Sequence, residues 1–477
     1  MAIWEYRSTV PLSGARSAAL INPITAFAAL SLLFGTLIIL ATPPLRGPDE
    51  TAHFLRAYGI ALGDIVPSTG DAQSRKSIFL SPQLYEGFEF FESVRVKEKG
   101  TGWFGYGPVF QTYFSHQSAP IDSDPPTVFV PYGGSEGYSP VAYLPQVAAA
   151  LAARALDLDF VATLYLMRFA GLAAMTAVIA YAIAISPQLA WTFVAIAMLP
   201  AALYGRSVVS ADGSALAAAM LVAALWLRGF LSPHGHRPGQ LSFWMMFSAL
   251  TKPTNLAFVL LGLMLPARRW PAVVLATLPA IGVALFWTVQ SGADSGAWRM
   301  VEITGQDASA FDPLVKLSHW INYPLHFPAA VIGAIHAKGV GELWRQGIGV
   351  LGLFDTVLQD WVYPTVSVLL LGTLFARLPL APATRGKVAT TAAIVAFAYA
   401  VSIYLVCYLS FTPLGANIVW GVQGRYFVLC LPVVAIAVAS VVNLNLDERL
   451  RAALASSAGV LSGSASIDAI VKADWHI

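Results

Sequence analysis

"ATPPLRGPDETAHFLRAYGIALG", Ala41 to Gly63, follows an apolar run from Leu20 to Ala41 and presents Asp49, Glu50, His53 and Arg56 in quick succession. An apolar stretch of about 20 residues crosses the hydrocarbon core of a bilayer. The four ionisable groups therefore stand where the chain leaves the membrane. "GPDETAHFLRAYGIAL" itself reads as a helix, with Gly47 near its N-cap, Pro48 at its first position, acids in its first turn and "LGD" as its end. Asp49, His53 and Arg56, spaced i, i+4, i+7, share one face of it.

The rest of the chain fits that start. Of 477 residues, 57% are hydrophobic and 11% charged, against about 25% charged in a soluble domain. This composition defines an all-α polytopic membrane protein. Ten spans are expected: Leu20 to Ala41, Pro140 to Leu156, Ala162 to Ile185, Leu189 to Tyr204, Ser214 to Leu231, Leu241 to Leu265, Pro271 to Gln290, Val362 to Leu378, Val388 to Leu409, and Tyr426 to Val442. With residues 1–19 cytoplasmic, the short inner loops hold Arg154, Arg206, Arg268, Arg269, Arg377, Arg385 and Lys387, as the positive-inside rule requires. Arg228 and Arg237 then fall outside, against the rule. Residues 20–443 form the membrane domain, and 444–477 a polar, cytoplasmic C-terminal tail. The net charge of +2 and the lack of a basic, aromatic-laced patch exclude nucleic acid as a partner. Cys407 and Cys430 lie in apolar segments as core thiols.

Two loops on the outer face are long. Loop 42–139 is expected to fold as a small α+β cap, with short strands in "SVRVK", "GYGPVFQTYFSH" and "TVFVPYGGSEGY". Loop 291–361 contains "HWINYPLHFPAAVIGAIHAKG", which reads as an interfacial helix.

Charges elsewhere need partners. Lys252, in "FSALTKPTNLAF", lies inside the sixth span, where a lysine costs about 2.5–3.5 kcal/mol. Pro253 loosens that helix. Asp212 and Arg168 are similar to Lys252; Asp212 falls on the cytoplasmic side of the simple topology and reads as structural. "GANIVWGVQGRYF" places Gln423, Arg425 and Tyr426 before the last span, on the same face as Asp49. A guanidinium is suited to a bidentate grip on phosphate. Each group has an ordinary reading as well: a first-turn acid complements the helix dipole, and a flanking Arg snorkels. A metal site on Asp49 and His53 has too few ligands. No phosphate loop, zinc-protease or nucleophile-elbow motif is present.

In order, "PPLRGPDETAHFLRAYGIALGDI", "GYSPVAYLPQVAAALAARALDL", "MLPAALYGRSVVSADG", "ALTKPTNLAF", "GIGVLGLFD" and "FTPLGANIVWGVQGRYFVLCLP" resemble a large bacterial family of integral membrane proteins over nearly the whole chain. That family is similar to a branch of the GT-C glycosyltransferases, which carry an acidic motif in the first outer loop and use polyprenyl-phosphate-linked sugars. The resemblance implies a GT-C-like fold in the bacterial inner membrane with its active face outward. It implies Asp49 or Glu50 as the base, and "TKP" at Lys252 is similar to a "TKG" of some members. Arg425, Lys252 and Arg46 are the candidates for the donor phosphate; His53, Arg56, Gln423 and Tyr426 are the candidates for substrate binding. The expected partners are a polyprenyl-phosphate-linked sugar, a glycan, lipid or protein acceptor, and the bilayer. No cofactor is expected, a divalent metal being the variant some members use. The rival classes are a transporter or flippase for a lipid-linked glycan and a non-catalytic subunit of surface-polysaccharide assembly.

Overall fold

The fold is given by a computed structural model, which describes residues 22–476 apart from 69, 72–74, 97–104, 117–126, 233–236, 266–269, 292–296, 443 and 445. Segment 1–19, expected to be cytoplasmic, and Arg268 and Arg269 lie outside the described residues. The helices are α1 Pro23–Ala41, α2 Glu50–Ala61, α3 Pro82–Val94, α4 Tyr106–His116, α5 Leu144–Ala155, α6 Phe160–Ala184, α7 Ala190–Ala197, α8 Pro200–Ser207, α9 Ala211–Leu231 and α10 Pro238–Thr251. They continue with α11 Trp270–Ser291, α12 Ala297–Thr304, α13 Pro313–Asn322, α14 His326–Lys338, α15 Val340–Gly349, α16 Val362–Thr373, α17 Pro382–Ser410, α18 Leu431–Val442 and α19 Glu448–Ile470. Two small antiparallel ladders complete it, β1 Ser77–Leu80 with β2 Val128–Pro131, and β3 Val350–Leu351 with β4 Thr356–Val357.

Among the described residues seven helices are long and apolar enough to cross a membrane, eight if the bent pair α7 and α8 counts as one span. The number ten is therefore corrected, for local reasons. Pro140–Tyr143 is a tight 3-10 turn leading into α5, which is only 12 residues long. It runs beside α2, with His53 against Tyr143 at one end and Arg154 donating to the Ala61 carbonyl at the other. The fourth segment bends by 73° before Pro200. The sixth breaks at Lys252, because Pro253 bars its predecessor from helical geometry; the chain continues as a 3-10 helix, Pro253–Leu263. The segment from Val362 is helical only to Thr373.

The last segment is the largest departure. Residues 444–477 were expected as a polar tail, yet Glu448–Trp475 is long and apolar enough to span. Its Ser, Ala and Gly residues make a face on which α1 and α16 pack closely. A side chain on Gly463 would collide with Phe34, and one on Gly459 would crowd Leu30. Trp475 Nε1 donates to the Ala41 carbonyl, so α19 runs parallel to α1 and both finish at one end of the bundle.

That end, called upper here, carries Asp49. At the lower end, Arg451 donates to the Gln188 carbonyl, Thr192 to that of Thr373, and Leu446 to that of Phe375. Gln240 reaches Tyr181 there too, which brings Arg237 to the same end as Arg377 and Arg385. The exception that Arg228 and Arg237 posed to the charge rule comes from counting Pro140–Leu156 as a crossing.

Beyond α1 at the upper end, α2 to α5 and the β1–β2 ladder share a second apolar core around Phe54, Phe88, Phe91 and Phe160. "TVFVP" supplies a strand. "SVRVK" and "GYGPVFQTYFSH" do not: Ser93 and Val94 end α3, and Tyr106–His116 is α4. In the second long loop, the segment His319–Gly339 is two helices, α13 and α14, with Leu314, Ile321 and Leu325 exposed.

Candidate functional site

Four elements bring their ends together at the upper end. Asp49 precedes α2 in the left-handed region, φ 55°, and its side chain caps nothing. A non-glycine residue held there costs on the order of 1–3 kcal/mol and persists only where its surroundings enforce it. From that position its carboxylate meets a cation of the protein: Arg425 Nη2 donates to Asp49 Oδ2 at 2.7 Å. Arg425 Nε donates to Gln423 Oε1 at 2.8 Å and lies 3.5 Å from Asp212 Oδ2. The other oxygen of Asp212 accepts from Lys252 Nζ at 2.5 Å.

Local sequence explains each placement. Ser210 caps the start of α9, leaving Asp212 in its first turn, where the dipole favours an anion. Lys252 is extended because of Pro253, and Asn255 holds the break by donating to the Ala215 carbonyl. Gly424 lets α15 close on the turn before Arg425: a Cβ there would sit 1.8 Å from the Leu343 carbonyl oxygen. Tyr426 lies under both cations, its ring centroid 4.2 Å from Lys252 Nζ and 5.2 Å from the Arg425 guanidinium carbon, which is also 5.0 Å from the centroid of the Phe354 ring. A cavity of about 20 Å³ behind Asp212 and Arg425, lined also by Gly205 and Leu216, has room for one water.

His53, one turn after Asp49, is buried with Nδ1 2.5 Å from the Tyr143 hydroxyl and the Tyr138 ring at its edge. Burial brings its pKa down to about 4, the nearby Asp49 and Asp212 opposing this and Arg425 and Lys252 adding to it. For Asp49 burial pushes the carboxyl up, but the Arg425 guanidinium, with His53, more than reverses it and holds the group below its ordinary value. Asp49 is thus an ionised carboxylate at the edge of a crowded cleft, its side chain 48% exposed, whereas Arg425 behind it is 11% exposed.

Three expected members lie elsewhere. Glu50 is fully buried, its carboxylate gripped by Arg168 Nε and Nη2 at 2.8 and 2.6 Å and by the backbone amides of Gly47 and Val209. Arg56 donates to the carbonyls of Tyr138, Asp64 and Ile65 and closes the far end of α2. Arg46 is committed to Asp355 and Asp474. The sequence reading missed Asp212 as a member, because the extra crossing put it at the wrong end. It also passed over Tyr138, Tyr143 and Phe354, although "GYSPVAY" and "GLFD" held them.

Among the described residues no three of His, Cys, Asp and Glu come together as a metal set. Asp49 and Asp212 are each faced by a cation of the protein, so the residues present do not fit a divalent metal.

A bundle of long apolar helices with a charged network at one end defines a polytopic α-helical membrane protein. The chain belongs to the family described as Predicted membrane protein (DUF2142), which matches residues 32–437. No curated protein and no solved structure matches it.

Proposed function

We propose that the protein is a glycosyltransferase of GT-C type, moving a sugar from a polyprenyl phosphate to a glycan, lipid or protein acceptor at the outer face of the bacterial inner membrane. One observation carries the reading: a half-exposed carboxylate, Asp49, paired with Arg425, with Lys252 behind it across Asp212. A base beside two cations suits a reaction in which a hydroxyl loses a proton while a phosphate departs. The distribution of charge supports this orientation. Arg228, Arg237, Arg377, Arg385, Lys387 and Arg449 cluster at the lower end, which the positive-inside rule assigns to the cytoplasm. The site then faces outward, where a lipid-linked donor replaces nucleotide sugars.

In the proposed step the acceptor hydroxyl gives its proton to Asp49 as its oxygen bonds the anomeric carbon. The bond from that carbon to the phosphate oxygen breaks, its electron pair leaves with the polyprenyl phosphate, and the centre inverts. In the free protein Arg425 masks Asp49. A donor phosphate on Arg425 competes for the same guanidinium and releases the carboxylate, so donor binding precedes activation of the acceptor. The burial of Glu50 against Arg168 favours Asp49 over it as the base.

The test is transfer of labelled sugar from a synthetic polyprenyl-phosphate donor into a membrane acceptor. Asp49→Asn should lower the rate by about 10²- to 10⁴-fold with expression and melting temperature retained; full transfer by this variant would remove Asp49 as base. A transporter reading draws on the helices broken at Met198 and Lys252, since discontinuous helices mark transport sites. It would prevail if no donor supported transfer while flux of a lipid-linked glycan required the protein.

A further inference from the structure

Arg46 carries the expected charge for a donor phosphate, but the protein has used it. Its Nη2 donates to both oxygens of Asp355 at 2.8 Å, its Nη1 to the Arg95 carbonyl, and its Nε lies 3.3 Å from Asp474. The side chain is fully buried. Four distant stretches of chain thus meet on one guanidinium: the exit from α1, the residue that follows α3, the turn between β3 and β4, and the end of the last helix. Trp475, bonded to the Ala41 carbonyl, fixes the place of Asp474.

The turn that Arg46 holds is the one that reaches the site. Gly352 and Phe354 both adopt positive φ, 62° and 64°, and a side chain on Gly352 would strike the Asp355 carboxylate. A bulky residue such as Phe354 enters that region only under constraint. The grip of Arg46 Nη2 on both oxygens of Asp355, next in sequence, supplies it, and the result is the Arg425 guanidinium carbon over the Phe354 ring, 5.0 Å from its centroid. We infer that Arg46 is a positioning residue: through Asp355 it sets the Phe354 ring on the Arg425 guanidinium, fixing the cation that grips the anionic ligand. A ring beside the guanidinium excludes water there, while the guanidinium N–H groups donate to Gln423 and Asp49. Only the naming of that ligand as a polyprenyl phosphate rests on the transferase reading.

The inference is read directly from Arg425. Modification of the purified protein by an arginine-selective dicarbonyl, with the Arg425 peptide quantified by mass spectrometry, reports how well that guanidinium is covered. Phe354→Ala and Asp355→Asn should each raise its modification by about tenfold, Asp474→Asn by less, and Phe354→Tyr should restore wild-type protection. Melting temperatures recorded alongside separate local release from unfolding. Arg46→Ala is not used alone, because it removes the guanidinium that faces Asp355 and Asp474 together. Unchanged Arg425 modification in Phe354→Ala and Asp355→Asn would overturn the inference. In parallel, the two variants should weaken binding of a short-chain polyprenyl phosphate by about the same factor. If Arg425 is uncovered as expected but the wild type neither binds nor uses that phosphate, the transferase reading fails and the positioning role stands.

Discussion

Asp49 and Glu50 are consecutive residues with opposite circumstances. Glu50 points inward, is fully buried, and joins three segments: the start of α2, Arg168 on α6, and the amide of Val209 before α9. Asp49, turned by its left-handed backbone, points to the cleft with about half its side chain open. The inner pair is a pin and the outer pair is a mouth. The pin is what makes the mouth possible, since it fixes α2 against α9, and so Asp49 against Asp212, before either meets a ligand.

The comparison breaks most visibly in stability. Glu50→Ala leaves the Arg168 guanidinium buried without its carboxylate, which costs about 3–5 kcal/mol. Asp49→Ala removes a half-exposed pair, worth under about 1 kcal/mol. Thermal unfolding in detergent should therefore separate two neighbouring alanine substitutions by many degrees. Equal losses would mean that both pairs are structural and that the cleft residue has no special status. Replacing Glu50 and Arg168 together with Leu and Met should recover much of the loss, because one stranded charge costs more than an apolar pair.

Asp212 sharpens the contrast from the other side, since it belongs to both worlds. It is 16% exposed, pairs with the buried Lys252 and also faces Arg425. Asp212→Asn keeps a hydrogen-bond acceptor but removes the charge, and should cost about 2 kcal/mol, between the two neighbours. Melting temperatures ranked Glu50→Ala lowest, Asp212→Asn next and Asp49→Ala highest are the expected series. A cost for Asp212→Asn as small as that for Asp49→Ala would place Lys252 in contact with solvent.

How much of this was legible in the sequence depends on the range of the interaction. The helix opening at Pro48, the long spans and the pairing of Lys252 with an anion follow from local rules of length, capping and desolvation. Lys252 demanded a partner, but its sequence could not say which, because Asp212 lies 40 residues away and its end of the bundle depends on every intervening crossing. Pro140–Leu156 is apolar enough to mislead, and its parity error moved Asp212 to the far end. The helix Glu448–Trp475 hid for the opposite reason. Its Ser, Ala and Gly side chains lower its hydropathy, yet they are what lets α1 and α16 approach, so a packing face resembled a soluble tail. Between Asp49 and Glu50 composition offers no choice at all; a backbone angle decides it.

The smallest test concerns His53, one turn along the same helix and facing Asp49, Asp212, Arg425, Lys252, Tyr138 and Tyr143. Burial holds its pKa at about 4, while an unfolded chain titrates at about 6.5. Between those values the unfolded state binds a proton that the native state refuses. Stability therefore falls as pH drops through that window, by up to about 1.4 kcal/mol per pH unit. Asp49 stays ionised there, its carboxyl being held below the ordinary range. Glu136, whose carboxyl burial pushes up, acts with the opposite sign, since its native state takes up the proton first. The informative quantity is then the difference between wild type and His53→Gln, in which Glu136 cancels and the polar contact to Tyr143 has a replacement. The variant's melting temperature should decline less steeply between pH 6.5 and 4.5. Parallel curves would mean that His53 carries a proton in the folded protein; Asp49 would then have two cationic neighbours, and a phosphate arriving at Arg425 would no longer suffice to unmask it.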